Sequence, residues 1–244
     1  MTMGRLNSRA VVRVSPTDAG EDAAAFLQGL LTNDVTGALP VYAALLTAQG
    51  KAMFDMIVWR DGESMLLDCE ADQAEALARR LSLYRLRRKL EIAVDPLLGV
   101  FWSLDPVDGY TPDPRLAAMG FRRVAEYLDG IEAVDEQYLA HRLTQGVAEG
   151  VAEQGDILWL ETNAAELGGV SFTKGCYIGQ ENTARMNWRA KINRRLMVVP
   201  LDRSDAKRRR AEYPSLGLAV DHLRVEDIPA DLVPGWMNLF NSAD

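Results

Sequence analysis

Lys174-Gly175-Cys176-Tyr177-Ile178-Gly179-Gln180-Glu181 packs an ammonium, a thiol, a carboxamide and a carboxylate into eight residues. A segment that only fills a core has no use for that density of reactive and hydrogen-bonding groups. A thiol acts as a nucleophile or metal ligand in its thiolate form, which nearby positive charge or helix N-terminal amides favour. Lys174 supplies one such charge, and a helix beginning near Tyr177 would supply the other. The alternative is that Cys176 is a small buried filler, the usual place of a free cysteine. Gly175 and Gly179 let the backbone turn close to a ligand or a neighbouring strand. Gln180 and Glu181 can hold that turn, by ligand contact or by local capping. Arg185, Arg189 and Lys191 follow at roughly helical spacing. They form either an anion-binding face of Arg forks and a Lys point charge or a solvated one.

Strands and helices must position these groups. Ala10–Val14 reads as a strand, and Asp18 and Asp22 offer capping positions for a helix carrying Ala25, Phe26 and Leu30. Tyr42–Thr47 and Met53–Trp59 read as strands of a hairpin turning at Gln49-Gly50-Lys51. Ser64–Cys69 is a third strand, and 71–88 is an amphipathic helix with Leu77, Leu81 and Tyr84 on one face. Strands at 90–94 and 99–104 follow. The Pro-rich loop 105–114 is a candidate subdomain boundary, 134–145 a helix, and 196–199 the start of a last β segment. Interleaved helices and antiparallel hairpins give an α+β fold rather than a doubly wound sheet. The expected division is 1–195 and 196–244.

At 244 residues, 48% hydrophobic and 25% charged, the chain reads as an ordinary globular protein. No stretch approaches the ~18 apolar residues of a membrane span. Two distant cysteines, Cys69 and Cys176, and two histidines make a disulfide framework or a metal cage improbable. A reducing cytoplasm is expected, with Cys69 a core residue. The net charge of −8 argues against broad nucleic-acid binding, yet Lys174–Arg210 holds eleven basic and three acidic residues. That segment is either an anion-facing surface or a solvated Arg-rich one.

The octapeptide resembles the KGCYxGQE motif of the YgfZ-type folate-binding proteins, which assist iron–sulfur cluster assembly and repair. That family is similar in fold to the glycine-cleavage T-protein, an aminomethyltransferase. Phe26–Val35 resembles the family's FLQGxLTNDV segment, Tyr84–Lys89 its YxLRxK helix end, and Asp113-Pro114-Arg115 its DPR loop. The resemblance implies ferredoxin-like α+β subdomains around a central folate cavity, then a C-terminal β-barrel. Only about fifty residues follow Lys191, so a shortened β segment is expected in place of the full barrel.

The same resemblance implies tetrahydrofolate or a derivative as cofactor and iron–sulfur client or assembly proteins as partners. Glu161, in Leu158-Trp159-Leu160-Glu161, matches the T-protein glutamate that accepts from the pterin N–H edge; a helix cap is the alternative. Gly50–Asp55 resembles the T-protein hairpin with its catalytic acid, keeping Asp55 and replacing the preceding acid with Phe54. Asp55 faces either the cavity or solvent. Asn33 lines the same cavity or serves its turn. With Tyr177, Gln180, Arg185 and Arg189 these complete the candidate folate-binding set, beside Cys176, Lys174 and Asp55 as the reactive one. Three functions stay open: a folate-binding accessory factor for iron–sulfur assembly using Cys176, a folate-dependent one-carbon transferase, and a protein- or RNA-docking module.

Overall fold

Alternation along the strands decides the architecture. In β2 (Arg9–Pro16), Val12 and Val14 point to one face and Val11 to the other, and all three are fully buried. A strand buried on both faces needs cover on both faces. The computed structural model describes residues 2–127, 130–188 and 192–239. Around β2 lie β1 (Met3–Leu6), α1 (Ala23–Gln28), β3 (Val41–Leu46), β4 (Ala52–Asp61), β5 (Ser64–Glu70), α2 (Ala74–Arg85) and β6 (Leu90–Val94). Then come β7 (Leu98–Ser103), β8 (Thr111–Pro112), β9 (Phe121–Glu126), α3 (Asp135–Thr144) and α4 (Gly150–Gln154). The chain ends in α5 (Gln180–Trp188), β10 (Arg194–Pro200), β11 (Arg209–Tyr213) and β12 (Leu218–Arg224).

Five strands form an antiparallel sheet ordered β3-β4-β5-β2-β6. On one face α1, the turn after it and α2 bring Leu27, Leu31, Leu77 and Leu81 against Val12, Val14, Met56 and Leu67. On the other, Val11, Tyr42, Ile57 and Leu66 meet Leu6, Trp102, Tyr138 and Trp159. This second core joins the sheet to a four-stranded one, β1-β7-β9-β8. The loop 105–114 thus lies within one sheet, because β7 before it pairs with β9 after it.

The last strands form a three-stranded antiparallel sheet, β10-β12-β11. Among the described residues no barrel closes. Sequence patterning missed β1, β9, β11 and β12. Their alternation is masked by buried or paired charge: Arg122 in β9 and Asp221 in β12 are both buried. The helix expected over 71–88 is shorter, ending where Leu86 turns to φ 51° and ψ −113°.

Candidate functional site

The octapeptide is a loop clipped to the body on both sides of its thiol. Before it, the Lys174 ammonium donates to the carbonyls of Gln28 (2.6 Å) and Leu31 (2.5 Å) at the end of α1. It also lies 5.1 Å from the Tyr177 ring centroid. Burial pulls the Lys174 pKa down to about 8, against the charge of Asp34. After the thiol, Tyr177 packs into the second core and Ile178 against the first. Gly179 (φ 82°) then meets the hairpin glycine Gly50 (φ 79°). A Cβ on Gly179 would lie 2.6 Å from the Thr47 carbonyl oxygen and 2.9 Å from the Gly50 Cα. The Asn182 side chain donates to the Gln49 carbonyl at 2.9 Å, so α5 is pinned to the same turn.

Between these clips Cys176 is exposed, whereas Cys69 is buried and pushed up to about 12 by that burial. The buried-filler alternative therefore fails for Cys176. Both expected sources of its activation lie elsewhere. Lys174 is engaged with backbone carbonyls, and the following helix begins at Gln180 rather than near Tyr177. What the sequence encodes is presentation of a thiol on a fixed loop. Gly179→Ala combines a left-handed φ with a backbone clash and is expected to cost about 2 kcal/mol or more. By thermal unfolding that is a Tm lower by about 4–8 °C; an unchanged Tm contradicts the close approach.

Asp55 lies on the β4 face shared with Ile57, and the four-stranded layer covers that face, so it is buried and not solvent-facing. It accepts from the Gly150 amide (3.1 Å) and the Tyr42 hydroxyl (3.3 Å). Burial pushes its pKa up to about 6; Arg9 opposes this and the Glu149 charge adds to it. Around it runs a buried network. Arg9 donates to Asp68 at 2.6 Å, and Arg122 to Asp68 (3.0 Å) and Asp113 (2.8 Å). Arg115 donates to Asp113 (2.7 Å) and Glu149 (2.5 Å), and Tyr138 to Glu149 (2.6 Å). Burial works against the Asp113 carboxylate, but Arg115 and Arg122 hold it at about 2. Beside the network a cavity of about 310 Å³ is lined by Arg9, Glu70, Tyr138, Arg142, Glu149 and Tyr213, among others. Asp55, Glu161 and Cys176 do not line it.

The other sequence candidates do not converge on that cavity. The Glu161 carboxylate pairs with His222 Nε2 at 2.9 Å, tying a short 3-10 turn to β12. Asn33 holds its turn: its amide donates to the carbonyls of Tyr42 (2.8 Å) and Gly168 (2.7 Å). Gln180 opens α5, and Arg185 is exposed, donating to Asn182 at 2.7 Å. Arg189 lies outside the described residues. Much of the basic segment is engaged internally, Arg195 with Glu166, Arg203 with Asp231 and Arg209 with Glu212. Trp236 packs on the chain's own body and donates to the Gln145 carbonyl at 2.8 Å. Sequence reasoning missed the network itself; its one local signal was Asp113-Pro114-Arg115. Among the described residues no group of three or more His, Cys, Asp or Glu is placed to hold a metal. Among the described residues no helix is long and apolar enough to cross a membrane.

No family model matches the chain. It is 37% identical to the "Iron-sulfur cluster assembly factor IBA57, mitochondrial" of Mus musculus, over 82% of this chain and 66% of that protein. For the Homo sapiens protein of the same name the identity is 37%, over 80% of this chain and 65% of the relative. The homologue from Pyricularia oryzae is 33% identical over 87% of this chain and 61% of its own length. The chain thus spans just under two thirds of these curated relatives. Its fold is similar to the crystal structure of glycine cleavage system aminomethyltransferase T from Bartonella henselae. There the TM-score is 0.62 at 13% identity, covering 92% of this chain and 78% of that one.

Proposed function

We propose that this chain, a homologue of the IBA57 iron–sulfur cluster assembly factors, serves the assembly or repair of iron–sulfur clusters on client proteins. The observation that carries the proposal is the exposed Cys176 on a loop clipped by Lys174, Tyr177 and Gly179. A thiolate is a soft ligand suited to iron in a cluster. One thiol cannot hold a cluster, which takes four such ligands; the assembly or client protein supplies the others. The cluster is cargo, and the loop is a fixed ligand presented to it. Fixing the loop in advance lowers the ordering cost of that encounter.

Reduced folate is the small-molecule ligand we propose. The residues first assigned to it, Glu161 and Asn33, are engaged with His222 and with backbone carbonyls. The cavity beside the network suits it better. Glu149, Arg9 and Arg142 line it but are held by Arg115, Asp68 and Glu153. Glu70, which accepts from the Val151 amide at 2.9 Å, is the carboxylate we assign to a pterin N–H edge. Its volume, about 310 Å³, is at the lower end of small-molecule pockets and admits a pterin ring with the glutamate tail outside. Cys69 and Cys176, both unpaired, suit a reducing compartment, which we take to be the cytoplasm; the curated relatives are named as mitochondrial proteins.

The test is a strain lacking the gene. Expression of the chain is expected to restore the activities of iron–sulfur enzymes and leave cluster-free enzymes unchanged; no restoration refutes the role. Titration of tetrahydrofolate by calorimetry tests the ligand, and absence of binding heat at any accessible concentration refutes it. Incubation with an aminomethyl donor separates the accessory role from a one-carbon transferase. No methylene-tetrahydrofolate is expected, and its formation contradicts the accessory role.

A further inference from the structure

The far end of α2 carries a feature that neither cluster assembly nor folate binding uses. From Arg79 to Lys89 there are six basic residues and no acidic one, in a chain of net charge −8. Two leucines project from this stretch, Leu83 at 66% and Leu86 at 84% exposure. Leu86 also sits at φ 51°, ψ −113°, a backbone region costly for a side chain with a Cβ. Strain of this kind persists only where the surroundings over-determine it, and it clusters at functional positions. Here it ends the helix and leaves a large apolar side chain in water.

The charges divide into anchors and free groups. Arg88 pairs with Glu21 at 2.5 Å and Arg85 donates to the Leu90 carbonyl at 2.9 Å, which fixes the turn. Arg80 lies over the Tyr84 ring. The side chains of Arg79, Arg87 and Lys89 enter no ion pair among the described residues. Open grooves flank the leucines. One, of about 600 Å³, is lined by Glu21, Leu86, Arg87 and Arg88. The other, of about 450 Å³, is lined by Arg79, Leu83, Ile92 and Val94, among others.

We propose that this corner is a docking site for an acidic, leucine-bearing segment of a partner protein. Complementary charge selects that occupant. Outside the six cations the chain carries −14, from −8 less 6. An anionic bilayer is a plane wider than the protein, so it faces that negative remainder as well as the patch. A short acidic segment meets the six cations and two acids at the groove edges, Glu75 and the Arg88-paired Glu21. The remainder beyond a Debye length of about 8 Å is screened from it. The leucines supply what charge alone lacks: burying each on a partner gives up water-exposed apolar area worth about a tenfold gain in affinity or more.

The test uses a short fluorescein-labelled peptide alternating glutamate and leucine, followed by anisotropy against the full chain. The peptide is expected to bind, and versions with Gln for Glu or Ser for Leu to bind at least about tenfold more weakly. The L83S/L86S and R87E/K89E double variants are expected to lose a similar factor while keeping the circular dichroism of the parent. Leu86→Gly relieves the strain, so its Tm should rise as its peptide affinity falls. The proposal is overturned by absence of peptide binding, or by equal binding of the control peptides. Unchanged affinity in the variants, or tighter binding to phosphatidylserine vesicles or single-stranded RNA than to the peptide, overturns it too.

Discussion

Arg122→Met is expected to lower the stability of the fold by about 3–5 kcal/mol. Methionine keeps most of the length and volume of the side chain, so the loss reports charge rather than a cavity. Arg122 is fully buried and bridges Asp68 at 3.0 Å and Asp113 at 2.8 Å, joining β5 of one sheet to the loop before β9 of the other. Its removal leaves three carboxylates, Asp68, Asp113 and, at 3.4 Å, Glu149, short of one cation each. Arg9 still faces Asp68 and Arg115 still faces Asp113, which places the effect in the quoted range rather than above it. Denaturant unfolding of R122M, D113N and the double variant checks this. The double variant should be less destabilised than the sum of the singles, because each relieves part of the other's imbalance. Additive losses would mean that the bridge carries no coupling.

Asp55→Asn is expected to act in the opposite direction, and only above a certain pH. The folded-state pKa of Asp55 is about 6 against an ordinary 3.8. Below about pH 3 the carboxyl is protonated in both states and costs nothing. As pH rises through 4 to 6, the unfolded chain releases its proton first, so the wild-type fold loses stability until the folded pKa is passed. Above pH 6 the full penalty remains, up to about 3 kcal/mol for a shift of this size. Asparagine keeps an oxygen for the Gly150 amide and cannot ionise. The variant should match the wild type near about pH 3 and exceed it at about pH 7. Lower stability of D55N at pH 7 would mean that Arg9 more than offsets the burial of a charged Asp55.

These two effects concern what the sequence concealed. The network draws Arg9, Asp68, Asp113, Arg122, Tyr138 and Glu149 from separate elements, and the Arg9–Asp68 contact alone spans 59 positions. No local period marks such a group. Its members also disguised their strands, since Arg122 and Asp221 interrupt the apolar alternation that would have revealed β9 and β12. What was legible was local. Val11–Val14 and the 42–59 hairpin read as strands because alternation and a Gly turn are signals within a few residues.

The octapeptide lay between these extremes. Its glycines announced a close approach, and Gly179 does meet Gly50, yet nothing nearby in sequence says which backbone it meets. Lys174 misled for the same reason. Two positions separate it from Cys176 in sequence, but its ammonium reaches α1, more than 140 residues away. Glu161 stood in the matching place for a pterin contact, and a histidine from the last strand takes it instead.

The most direct measurement is complementation of the gene-deletion strain with Cys176→Ser, at matched protein level and unchanged Tm. Serine keeps the size and exposure of the side chain and removes only the soft sulfur ligand. Iron–sulfur enzyme activities should fall to the level of the deletion strain while the protein remains folded and abundant. Full restoration by the serine variant would contradict the account, because the loop would then be presenting a residue the function does not need.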